Sequence, residues 1–302
     1  MLDFVIKNSG RCSPRPTQSL KSKFLSVMKR FAQEGETEMK KVMCAILAVF
    51  VTAVVQAAPF VENFTGYSVG TVLAGRDADG VEYASVNGFH SSLYYSGDRN
   101  VTVMEDGVGG MRYMQASTTM MYWKHQQGSE ITSAITENPI VVFEFTKRWN
   151  TGAGYVDLLV GKMNNDAGTS FSRAFEFYNP IWNYLVRDAA GSYFTETDAS
   201  QVQNGWEDVK LVIDPAANAG DGRMDVYGKL HANTVWTQFQ GLSNINLSLK
   251  SSAVPNPSDW TDIFFETPAG NGAFSSISAY SIPEPTTLGL LALGGLFLRK
   301  RK

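Results

Sequence analysis

Apolar and polar residues alternate in short runs through the middle of the chain. Val141-Val142-Phe143-Glu144-Phe145, Phe171-Ser172-Arg173-Ala174-Phe175-Glu176-Phe177 and Glu207-Asp208-Val209-Lys210-Leu211-Val212-Ile213 carry the period of two of half-buried antiparallel strands, written in β-branched and aromatic residues. The same reading expects strands at 111–115, 120–124, 155–160, 181–187, 224–230, 236–239, 263–266 and 275–280. Turn residues separate them, as in Gly107-Val108-Gly109-Gly110, Asn164-Asn165-Asp166 and Asp214-Pro215-Ala216-Ala217-Asn218. No stretch of ten or more residues in this region carries a convincing helical period, and no repeat recurs. Short strands at even spacing with no helices between them predict an all-β fold, a two-sheet antiparallel β-sandwich of the jelly-roll kind.

Two unbroken apolar runs flank that region. From Met39 the chain reads Met39-Lys40-Lys41, then an almost wholly apolar stretch from Val42 to Val55, then Gln56-Ala57 before Ala58-Pro59. A charged start, a short apolar stretch and small residues at its end make a secretory signal peptide, with cleavage expected between Ala57 and Ala58. A membrane anchor is the competing reading, and the stretch is short for it. Signal peptides begin at the start codon, so residues 1–38, basic and without apolar periodicity, read as a mis-called extension. The other run, Leu288 to Leu298, carries no charge, follows Ile282-Pro283-Glu284-Pro285, and stops at Arg299-Lys300-Arg301-Lys302. It would be apolar on every face of a single helix, and the terminal cations would stay on the cytoplasmic side of a bilayer. The expected division is therefore 1–38 extension, 39–57 signal peptide, 58–281 sandwich and 282–302 tail.

The order Pro283-Glu284-Pro285, apolar helix, Arg299 to Lys302 resembles the PEP-CTERM sorting signal, also known as the C-terminal domain of certain ice-binding proteins. The resemblance implies an exported protein held transiently in the inner membrane of a Gram-negative bacterium, with an exosortase-type sorting protease as partner and the cell surface or extracellular matrix as destination. An ordinary tail anchor is the alternative. The mostly apolar run from Thr286 to Leu298, about thirteen residues, is short of the roughly 20 that a span needs, which suits a temporary hold.

Charge is partitioned along the chain. Residues 58–285 hold 13 Lys or Arg against 25 Asp or Glu, a net charge of −12, while nine basic residues precede Ala58 and four follow Leu298. Phosphate binding needs clustered cations, so an acidic body speaks against nucleic acid as a partner. Both cysteines, Cys12 and Cys44, precede the expected cleavage site, which leaves the exported part without a disulfide or a thiolate metal site.

Phe64-Thr65-Gly66-Tyr67-Ser68-Val69-Gly70, the turn Gly107 to Gly110 leading into Met111-Arg112-Tyr113, and Trp206-Glu207-Asp208-Val209-Lys210-Leu211-Val212-Ile213-Asp214 resemble concanavalin A-like (laminin G-like) jelly rolls. Glycoside hydrolases of that fold carry Glu-x-Asp-x-Glu or its bulged variant along one strand. Here the nearest approach is Glu196-Thr197-Asp198, with Ser200 and Gln201 where the third acid would stand. Glu144 and Glu176 stand alone on their strands and read as solvated outward positions. His90, His125 and His231 make no metal spacing and read as surface or turn residues, and no Gly-x-Ser-x-Gly elbow occurs. The sequence thus predicts a non-enzymatic protein.

Binding remains. Trp123 beside Lys124, Trp149 in an expected loop with Arg148 and Asn150, and Trp182 and Tyr184 around Asn183 pair aromatic faces with hydrogen-bonding groups, as a polysaccharide site requires. The competing reading packs these rings in the core, which is the role expected of Trp206. Asp77-Ala78-Asp79-Gly80-Val81-Glu82 offers Asp77, Asp79 and Glu82 to calcium, and Asp214 with Asp221 and Asp225 is a second such set, each weighed against solvated turn acids. No other cofactor is expected. The leading function is an exported surface or matrix protein that binds extracellular polysaccharide, and the alternatives are a polysaccharide-degrading enzyme and a structural matrix protein without ligand.

Overall fold

The period of two in 207–214 is realised residue by residue. Glu207, Val209, Leu211 and Ile213 are buried, while Asp208, Lys210, Val212 and Asp214 are half-exposed on the opposite face. The computed structural model describes residues 59–76, 82–85, 89–91, 99–107, 110–116, 120–124, 128–136, 138–149, 156–164, 170–179, 183–197, 205–267 and 272–282, all within the compact unit Gln56–Leu290.

Among the described residues the strands form two antiparallel sheets. Side by side in the larger lie β15 (Thr237–Gln238), β14 (Arg223–Leu230), β13 (Glu207–Asp214), β8 (Ile140–Trp149), β18 (Gly272–Ile282), β6 (Met111–Ala116), β5 (Arg99–Asp106), β2 (Val72–Arg76) and β3 (Glu82–Ser85). β1 (Phe60–Glu62) also pairs with β18, and β16 (Ile245–Asn246) with β14. The smaller sheet runs β12 (Tyr193–Thr197), β11 (Asn183–Arg187), β10 (Phe171–Asn179), β9 (Val156–Met163), β17 (Asp262–Thr267), β7 (Met120–Lys124) and β4 (Phe89–Ser91). The two-sheet antiparallel sandwich expected from the pattern is present.

The core lies between the sheets. Phe143 and Phe145 of β8 meet Phe175 and Phe177 of β10 edge-on, with ring centroids 5.7 and 5.3 Å apart. Trp260 is fully buried against Phe175 at 5.6 Å, and its indole N–H donates to the Val254 carbonyl at 3.0 Å. The smaller sheet's centre is buried on its outer face too, where Leu159, Met163 and Phe264 cluster with Phe171.

β1 to β5, β12 and β16 form where no strand was expected, and a helix and the end of β8 also depart from the sequence expectation. A nine-residue helix, α1 (Gly128–Thr136), buries Ile131, Ala134 and Ile135 at the i, i+3, i+4 spacing against β18. At nine residues it is shorter than a ten-residue stretch, so its helical period does not register over such a length. Trp149, expected in a loop, instead ends β8, where it pairs with Gly272 of β18.

Candidate functional site

Lys147 and Glu207 occupy paired positions on β8 and β13, each in phase with apolar neighbours, so both side chains enter the interior. Lys147 is fully buried, and its ammonium bonds Glu207 Oε2. The Tyr184 hydroxyl donates to the same oxygen at 2.9 Å, and the ammonium stands 5.1 Å from the Tyr184 ring centre. Tyr184 stacks on Phe239, centroids 4.5 Å apart at 20°. Phe239 can lie across β14 because residue 228 is glycine: a Cβ there would collide with its ring.

Above this floor, where edge strands of the two sheets approach, opens a cavity of about 360 Å³. Glu196 and Glu207 line it with Asn233, Thr237, Gln238 and Gln240. Glu196 accepts the Gly241 N–H, and Lys229 is held by Asp208 at 2.6 Å and by the Asn233 carbonyl at 2.8 Å. Burial would raise Asp208, but hydrogen bonds from Lys229, His231 and Thr146 outweigh it and hold its carboxyl below the ordinary value. Both ligands of Glu207 take Oε2, and no described residue engages Oε1, the side-chain amides of Asn233 and Gln240, or the Thr237 hydroxyl.

A second constellation sits on the outer face of the smaller sheet. Register places Asp157 of β9 opposite Glu266 of β17 and Tyr178 of β10, with Glu176 of β10 one pair along, opposite Arg187 of β11. Arg173 donates to Glu176 at 2.6 Å, Arg187 stands 3.6 Å from it, and all three carboxylates are buried. Burial pushes the Asp157 carboxyl well up, and Glu176 and Glu266 push it further. Burial followed by Asp157 likewise raises the Tyr178 phenol. Glu176 is therefore not the solvated outward carboxylate expected, because neighbouring strands bring Asp157, Glu266 and two arginines around it.

Of the expected aromatic platform, Tyr184 is 2% exposed. It shares the core-facing side of β11 with Val186, which corrects its reading as an open surface ring and makes it cavity floor instead. Trp123 lies on β7 at the position paired with Phe264, and Trp182 lies outside the described residues. Trp206 is half-buried and not a member of the core: its indole N–H donates to Asp106 at 2.6 Å and its ring stands 4.5 Å from the Arg148 guanidinium. His231 is a surface residue bonded to Asp208 at 2.8 Å.

Asp77 and Asp79 lie outside the described residues, and the backbone of Glu82 opens β3. Asp214 accepts the Ala216 and Ala217 N–H groups, while Asp225 accepts from Gln238, Ser243 and Asn244, so these carboxylates serve turns. No group of three or more acidic, histidine or cysteine side chains could hold a metal among the described residues. Ala57, Ala58, Pro283, Glu284, Pro285 and Arg299 to Lys302 lie outside them, and no described helix is long and apolar enough to cross a membrane.

Among solved structures, the chain is similar to a protein of unknown function from Shewanella oneidensis MR-1, at 11% identity over 77% of this chain and 91% of that one, TM-score 0.39. It is also similar to a Bacteroides ovatus mixed linkage glucan GH16 protein in complex with product, at 9% identity over 73% and 99%, TM-score 0.37. Sheep galectin-11 in complex with glycerol aligns at 8% identity over 48% and 93%, TM-score 0.30. No curated protein matches the sequence. Residues 281–302 match the PEP-CTERM protein-sorting motif, which indicates export and membrane-associated sorting and is of the kind exosortases recognise.

Proposed function

We propose that this chain is a non-enzymatic protein of the bacterial surface or extracellular matrix, released there by exosortase-type processing, and that its sandwich binds polysaccharide. The sorting motif at 281–302 supports the route. The observation that carries the binding half is the cavity between the sheet edges, whose amides, hydroxyl and carboxylate oxygen stand unengaged by any described residue, the complement of a hydroxyl-rich ligand. Incubating the full chain with a polysaccharide panel, then assaying retention and new reducing ends, tests it. Retention without cleavage is expected. Neither retention nor cleavage would leave a purely structural matrix protein.

One observation favours a second reading, hydrolysis of the polysaccharide. Asp157, with its carboxyl raised, stands beside a second carboxylate, Glu176, which pairs with Arg173 and Arg187, and two neighbouring carboxyl groups are the parts an acid–base pair needs. New reducing ends that disappear in Glu176→Gln would establish this reading over the first.

A further inference from the structure

We infer that the cavity between the sheet edges takes the terminal sugar of a polysaccharide chain or branch, end-on, and selects a sugar without an acidic group. This rests on the polysaccharide reading above and adds which part of the polymer is held and what chemistry is refused.

Depth dictates the end-on geometry. Behind the cavity stand Tyr184 and Phe239, both members of the main core, with Tyr184 in turn 5.8 Å from Phe177. Beside them lies the fully buried Lys147 with its Glu207 partner. Among the described residues this floor is packed core, so a polymer cannot pass through it, and the ring that reaches Glu207 is inferred to be the last of its chain or branch. At about 360 Å³ the cavity is at the small end of ligand sites, where one terminal residue rather than a long segment is enclosed.

Charge dictates what enters. Glu207 is answered by Lys147, and Lys229 is taken up by Asp208, which leaves Glu196 as the uncompensated charge among the described residues of the lining. A uronate or sulfate group would lose its water shell against that carboxylate without gaining a cation. Neutral or amino-bearing sugars carry no such cost. Their hydroxyls donate to Glu207 Oε1 and exchange hydrogen bonds with the Asn233 and Gln240 amides and the Thr237 hydroxyl, groups that both give and accept.

The test uses the immobilised full chain with dextran, chitosan and alginate, each as long polymer and as a partly depolymerised sample of equal mass. For dextran or chitosan, bound protein is expected to rise with the number of chain ends at constant mass, and alginate is expected to bind at least tenfold more weakly. The Asn233→Ala/Gln240→Ala double variant, changed at two exposed rim positions, is expected to lose binding at least tenfold with an unaltered melting temperature. Binding that follows total mass instead of ends, a preference for alginate, or an unaffected double variant would each overturn the end-on pocket while leaving polysaccharide binding intact. Retention of none of the three polymers would sink the polysaccharide reading and this inference with it.

Discussion

Lys147 and Glu207 each sit at a core position of their strand, in phase with Phe143 and Phe145 on one side and with Val209 and Leu211 on the other. A carboxylate or ammonium taken from water costs several kcal/mol, so neither is tolerable there without the other. Lys147→Met should therefore destabilise the fold by about 3 kcal/mol, the low end for a broken buried pair, because Glu207 still reaches the cavity. The Lys147→Met/Glu207→Gln double variant should recover much of that loss, since the Tyr184 hydroxyl can donate equally to an amide oxygen. Urea midpoints of the three proteins check it, and equal losses in single and double variants would show that the pair is not the source. Neither charge stands out in the sequence, although each is in phase with an apolar run of its strand. What the sequence does not state is that β8 and β13 pair, and so that the two charges meet.

At the scale of strands, the same distinction separates what was legible from what was not. Patterns confined to one segment emerge from the sequence: β7 falls where expected, and β13 and β14 within a residue, because each writes its own alternation. β5 buries Val101 and Val103 but exposes Met104, so its apolar positions are few and not all in phase, and do not register as an alternation. The Asp157, Glu176 and Glu266 row needs three strands from distant parts of the chain in one register, a fact of topology that a search along single strands cannot reach. That row sets a pH dependence. The ordinary carboxyl value is 3.8 and that of Asp157 is raised on folding, so above about pH 4 the native state holds a proton that the unfolded chain has released. Stability should fall as pH rises through that window, and Asp157→Asn should flatten the slope. Asp208 works in the opposite sense: its lowered value gives stability that is lost as pH falls below about 4, so the two groups act in separate windows. Urea titrations between pH 4.5 and 7 with an unchanged slope in Asp157→Asn would count against the assignment. The connection between β2 and β3 carries a separate expectation, since Asp77 and Asp79 precede Glu82 there. If they hold calcium, a hundredfold excess over Kd should stabilise the fold by about 2.7 kcal/mol, and a melting temperature indifferent to calcium and chelator would remove the site.

At the scale of the whole chain, sandwich and sorting tail share a boundary. β18 runs to Ile282, which pairs with Ile140, and the residue that follows is Pro283, which has no N–H to extend the ladder. β18 is no edge strand: it pairs with β8, β6 and β1. A protease cut within β18 would remove part of the larger sheet's centre, whereas a cut at Pro283 or beyond leaves every described pairing intact. Release is therefore expected to occur at or after Pro283, and the protein recovered from the native host's surface should begin at Ala58 and lack the apolar run and Arg299 to Lys302. Intact-mass measurement reads both ends at once. A surface form that retains the tail would mean a permanent anchor rather than sorting, and a terminus upstream of Ile282 would mean that the sandwich boundary is misplaced. Truncation separates those cases independently. A chain ending at Ile282 should keep the melting temperature of the full protein, while one ending at Ser275 should lose Ile277 and Ala279 from the core together with the pairing of β18 to β1, and fail to fold.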